Sequence, residues 1–235
     1  MNILETIVLL SVLVLFHELG HFLAARAVGI PISQFAVGLG PKLWSRRWGS
    51  TTFSFRALPL GGFVEPQVDS FESLQAIPLW RRLAFYVAGP IANLLVALPL
   101  FGLLNTLRSG LSFHGLFVAP FRQLSEASRQ FLGALADLVG DPSHLTGLVG
   151  IAVDGGQMVA SGRGIELAIL LTISLGLMNL LPIPVLDGGQ ILFACLEAAF
   201  PRLVGLRPTA TVLGGLFLTA VMVYANVRDI DRLWG

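Results

Sequence analysis

Four stretches of this chain, at about residues 3–28, 79–104, 165–200 and 210–227, are apolar over lengths that cross roughly 30 Å of hydrocarbon at about 1.5 Å per helical residue. A backbone inside lipid must satisfy its own hydrogen bonds, so stretches of this length are helices. Hydrophobic residues are 54% and charged residues 12% of the sequence, about half the charge of a soluble domain, and mean hydropathy is +0.78. The class is therefore an α-helical integral membrane protein with about four transmembrane helices. No basic segment precedes the first stretch and no small-residue cleavage site follows it, so it reads as a retained helix.

The third stretch is too long for one span and is interrupted by NLLPIPVLDGG, residues 179–189. Pro182, Pro184, Gly188 and Gly189 forbid an unbroken helix there. Broken backbone at membrane depth lines protein or a cavity rather than lipid.

The connections set orientation. Arg26, Lys42, Arg46, Arg47, Arg56, Arg81 and Arg82 between the first two spans outnumber Glu65, Asp69 and Glu72, which places this loop on the cytoplasmic side and both termini outward. Its stretch of about 32–64 alternates in TTFSFRA and is punctuated by Gly-Pro and Trp-Gly, so it predicts a small antiparallel, membrane-associated β-sheet of two to four strands. The segment of about 105–164 has no basic excess. Within it, residues 118–140 place Leu124, Phe131, Leu132, Leu135, Leu138 and Val139 near one helical face, predicting an amphipathic helix on the outer surface before the third span. No internal repeat divides the chain, which reads as a single domain, 1–235. Net charge of +1 and the absence of a long basic run exclude nucleic acid as a partner. Cys195 is the one cysteine, so no intramolecular disulfide forms.

The first apolar stretch contains FHELGH, residues 16–21. Positions i and i+4 share a helical face, so His17 and His21 can grip one metal ion, and Glu18, displaced around the helix, suits a base acting on water. Ionisable groups inside a span are expensive without partners, which weights this motif toward function. Catalytic zinc takes three protein ligands and leaves a position for water. His114 and His144 fall in the outer segment at the wrong depth. Asp187 stands in the broken part of the third stretch, where an unpaired carboxylate would be costly, and is the expected third ligand. One Zn²⁺ per chain and metal-assisted peptide hydrolysis follow. A metal transporter would spread acidic and histidine sites along a path, whereas these candidates share one depth; a catalytically silent adaptor could have lost Glu18 or a ligand, and all four are present.

FHELGH, PLGGFV, AGPIAN at residues 88–93 and NLLPIPVLDGG together resemble the site-2 protease family of intramembrane zinc metalloproteases, in family order and over most of the chain. Within that family the likeness is to the bacterial regulator-of-sigma-E type. The resemblance implies His17, His21 and Asp187 as zinc ligands, Glu18 as base, and a cytoplasm-facing active site in a bacterial inner membrane. It implies a substrate that is the transmembrane helix of a single-span protein, such as an anti-sigma factor or signal-peptide remnant, first trimmed by another protease. It assigns Asn179 to substrate backbone; Asn93, Gly61, Gly62 and Pro182 are further candidates for substrate contact. Relatives of this type carry PDZ domains between the second and third spans. The segment of about 105–164 is too short for one, so no PDZ domain is expected.

Overall fold

The computed structural model describes residues 2–68, 73, 76–141 and 145–234; Asp69, Glu72 and His144 lie outside the described residues. The first apolar stretch forms helix α1 (Asn2–Val28), which carries the whole of FHELGH. It stops because Gly29 adopts φ 75° and the Ile30 N–H donates back to the Ala25 carbonyl at 2.8 Å, a left-handed glycine cap. Pro31 then prevents any resumption of the helix.

The predicted sheet follows as two long strands, β1 (Ile32–Trp48) and β2 (Thr51–Pro66), paired antiparallel. Their register sets Gln34 to Val37 between residues 62–65 on one side and 52–55 on the other, and sets Trp44 to Trp48 against residues 51–55. Register shifts let each strand bend, so four segments lie side by side. One outer segment is Gly62 to Pro66, and this edge borders the site described below.

Helices α2 (Leu79–Ser109), α3 (Ala119–Gly140), α4 (Leu148–Ala160), α5 (Gly164–Asn179), α6 (Asp187–Ala199) and α7 (Arg207–Trp234) complete the chain. Among the described residues, three helical segments are long and apolar enough to cross a membrane: Ile3–Val28, Leu79–Ser109 and Pro201–Leu233. The expected third span is instead two helices, α5 of 16 residues and α6 of 13, divided at residues 180–186. Pro182 and Pro184 supply no N–H to a helical ladder, and α5 reaches only about 24 Å. The predicted amphipathic helix is α3. The sequence reading did not anticipate α4, whose adjacent buried Gly155 and Gly156 lower helix propensity.

The chain, read above as one domain, groups into two compact units. In the unit of residues 1–9, 94–174 and 215–235, α7 caps α4. Asp229 Oδ2 accepts the N–H groups of Gly147 at 2.8 Å and Gly150 at 2.7 Å, and Asn226 Oδ1 accepts that of Val149 at 3.0 Å. Donors that a helix N-terminus leaves without intrahelical acceptors are thereby satisfied. Asn105 and Gln123 exchange amide hydrogen bonds of 2.9 and 3.0 Å between α2 and α3.

In the unit of residues 10–93 and 175–214, the core gathers Phe22, Ile30, Ile32, Phe35, Phe85 and Tyr86. The rings of Phe22, Phe35 and Phe53 lie 5.5 to 5.6 Å apart between centroids, a favourable aromatic spacing. This cluster fixes the sheet against the last turns of α1. Every residue singled out for the site belongs to this unit.

Candidate active site

On α1, one turn of helix brings the Nε2 atoms of His17 and His21 to 3.2 Å from each other. Asp187, the first residue of α6, places Oδ2 3.1 Å from His17 Nε2 and 3.3 Å from His21 Nε2. These three donor atoms form a nearly equilateral triangle. Ligands at about 2.0–2.1 Å from a tetrahedral zinc ion stand about 3.3 to 3.4 Å apart, so the triangle fits that ion.

The surroundings favour a cation at its centre. His21 Nδ1 lies 2.7 Å from the Phe85 carbonyl, an acceptor only, so Nδ1 carries the proton and, in the neutral ring, Nε2 keeps its lone pair. Lone pairs and a carboxylate oxygen at this spacing repel one another unless positive charge sits among them. A single proton can occupy only one edge of the triangle, whereas a dication satisfies all three corners.

The helices approach closely enough for this only because α2 has a glycine at the contact. A Cβ at position 89 would lie 2.8 Å from His17 Cε1, 2.6 Å from His21 Cε1 and closer still to His21 Nε2. The glycine of AGPIAN is thus the space the imidazoles occupy, a role the sequence reading did not assign. Gly188 and Gly189 do the same for the third donor. Side chains there would strike the Leu180 and Ile183 carbonyls, so the turn of residues 180–186 can fold directly against the start of α6.

Glu18 is buried and lines the same cavity of about 490 Å³ as His17, His21 and Asp187. Gly62 is its neighbour across the cavity: a Cβ there would stand 2.8 Å from Glu18 Cγ and 3.2 Å from Oε1. Residues Gly62 to Pro66 form part of the cavity wall while their other side pairs with β1. Asn179 also lines the cavity, its Nδ2 donating to the Leu175 carbonyl at 3.0 Å.

Of the remaining candidates, Gly61 and Pro182 do not line this cavity, whereas Asn93 touches His17. Gly61 turns β2 at φ 85° beside Leu39, and Pro182 belongs to the break between α5 and α6. Asn93 is fully buried, with its side-chain amide 3.1 Å from His17 Nδ1. Among the described residues, His17, His21 and Asp187 are the one cluster with metal-holding geometry, and His114 lies outside it.

Behind the cavity is a charge cluster that no sequence motif announced. The Glu197 carboxylate, 4% exposed, pairs with Arg82 at 3.3 Å and Arg207 at 3.2 Å. Arg207, 2% exposed, also donates to Tyr86 Oη at 3.0 Å and to Gln190 Oε1, and Gln190 Nε2 donates to the Pro184 carbonyl. The cluster thus holds the turn that delivers Asp187.

Comparison with known proteins points to the same metal. A zinc metalloprotease, provisionally so named, of Agrobacterium fabrum is 25% identical, with 99% of this chain and 96% of that protein aligned. One of Campylobacter jejuni with the same provisional name is 24% identical over 99% of this chain and 94% of its own length. One of Clostridium acetobutylicum reaches 41% identity over 43% of this chain and 31% of its own. The Agrobacterium alignment runs over 364 positions, more than the 235 residues here, so that relative inserts residues this chain lacks. The sequence model of peptidase family M50 matches residues 5–223, nearly the whole length, and the chain belongs to that family.

Proposed function

We propose that this chain is a zinc-dependent endopeptidase that hydrolyses peptide bonds within transmembrane segments of single-span membrane proteins. The observation that carries the reading is the triangle of His17, His21 and Asp187 with Glu18 beside it, in a chain with three helices long and apolar enough to cross a membrane among the described residues. The provisional names of the relatives add the metal and the reaction.

When bound, zinc supplies Lewis acidity that lowers the pKa of water and polarises the scissile carbonyl. Glu18 takes the proton from the attacking water and passes it to the departing amine. Asn93 fixes the His17 ring. For Nε2 to face the metal, Nδ1 must carry the proton, and the Asn93 amide, turned so that Oδ1 takes the place of Nδ2 3.1 Å from the ring, accepts it. Asn93→Leu is expected to weaken zinc binding about 10- to 100-fold, whereas Asn93→Asp, which keeps the acceptor, retains it. Competition against a fluorescent zinc chelator reads both values; equal loss in the two variants would remove Asn93 from this role.

A peptide bond in a membrane helix is already hydrogen-bonded and must be unwound before water can reach it. The edge of Gly62 to Pro66, which among the described residues has no strand partner on the cavity side, suits a substrate segment added as a further strand. Asn179 stands across the cavity to hold the added backbone. Substrates with glycine or proline in the helix are expected to be cut at least about ten-fold faster than leucine-only helices of equal length, measured with reconstituted enzyme and abolished by chelator. Equal rates for the two would sink the unwinding step, and chelator-insensitive cleavage would sink the zinc assignment.

The basic excess of the loop after α1 supports a site facing the cytoplasm with both termini outward, and the family resemblance supports a bacterial inner membrane as its location. Anti-sigma factors or signal-peptide remnants, first trimmed by another protease, are the substrate class of this reading.

A further inference from the structure

We propose that the hairpin of residues 42–56, with Arg26 beside it, is a binding surface for the anionic head groups of phospholipids. This does not rest on the protease assignment.

Between Glu18 and Glu65 the sequence holds five cations, Arg26, Lys42, Arg46, Arg47 and Arg56, and no acid. Among the described residues, none of the five pairs with a carboxylate. Interleaved with them are large apolar side chains turned outward: Trp48 is 82% and Leu43 73% exposed, with Trp44 and Phe55 about half exposed. A groove of about 1100 Å³ separates the hairpin from the end of α1, lined by Phe22, Arg26, Pro31, Trp44, Trp48 and Phe53. Arg26 stands in the last turn of α1, so the groove lies where this apolar helix leaves hydrocarbon.

Water disfavours so much exposed tryptophan and leucine, and hydrocarbon disfavours unpaired guanidinium groups. The head-group layer accommodates both, because tryptophan partitions there and cations meet lipid phosphate. Lysine and arginine clustered beside a membrane span are drawn to anionic lipid over a range set by screening. Charge complementarity therefore selects an acidic lipid rather than a zwitterionic one.

The full chain carrying Trp48 as its single tryptophan (W44F/W80F/W234F) is reconstituted in nanodiscs of phosphatidylcholine and phosphatidylglycerol at fixed composition. Bromine is placed on the acyl chains of one lipid or the other, and Trp48 emission is read. Brominated phosphatidylglycerol is expected to quench at least about two-fold more than the same fraction of brominated phosphatidylcholine. The preference should vanish in K42Q/R46Q/R47Q/R56Q and persist in K42R/R46K/R47K/R56K, with circular dichroism reporting retained helix in both. Equal quenching by the two lipids, or a preference that survives loss of the cations, overturns the proposal. So does no quenching by either lipid, which would leave the hairpin to water or to a protein partner.

Discussion

Replacing Glu18 by glutamine is expected to slow peptide-bond cleavage by about 10²- to 10⁴-fold, with one zinc still bound per chain. Glutamine matches the carboxylate in shape, so it fits beside Gly62 without the crowding that a side chain at position 62 would bring. The amide nitrogen carries no basic lone pair, so the proton of the attacking water has no acceptor. His17, His21 and Asp187 are untouched, so the donor triangle of 3.1 to 3.3 Å remains. Cleavage of a co-expressed single-span reporter reads the first effect, and metal analysis of the purified variant reads the second. Wild-type cleavage would remove Glu18 from the chemistry. Loss of zinc would make it a ligand instead.

The second large effect is expected from a single methyl group. Gly89→Ala puts a Cβ 2.6 Å from His21 Cε1 and 2.8 Å from His17 Cε1, well inside van der Waals contact. The helices cannot easily move apart to relieve it, because at Gly20 α1 is already packed against α2, where a Cβ would stand 2.5 Å from the Ala88 carbonyl oxygen. Packed interiors transmit such strain, so the imidazoles must rotate off the metal axis. A misplacement of about 1 Å costs about 100-fold in rate, and zinc retention should fall with it. Gly133→Ala, in α3 with nothing within 4 Å of the new carbon, should leave both unchanged. Normal zinc content and activity in Gly89→Ala would show that α2 yields at this contact.

Much of this site is legible in the sequence, because its chemistry resides in side chains with strong preferences. His17, Glu18 and His21 declare themselves by helical spacing inside an apolar run, and Asp187 by its cost at membrane depth. The structure brings His17, His21 and Asp187 together as expected. What escaped notice has no side-chain signature. The Phe85 carbonyl that orients His21 is a group every residue carries. Gly89 acts through the atoms it lacks, and Arg82, Glu197 and Arg207 are brought together over more than a hundred residues of chain. The sheet is legible as alternation, but its bends depend on register, which alternation does not specify. The break in the third stretch is legible from Pro182 and Pro184, yet as one interrupted span rather than two short helices with Asp187 at the start of the second.

That division of the candidate metal donors between a continuous helix and a later turn also bears on biosynthesis. His17 and His21 acquire their relative geometry as soon as α1 forms, early in translation. A nascent chain that ends before Asp187 has two thirds of a metal site and no means of closing it. Arg207, made later still, braces the turn of residues 180–186, since it donates to Gln190 and Gln190 donates to the Pro184 carbonyl. The three donors can therefore meet only once the chain has been made through Asp187.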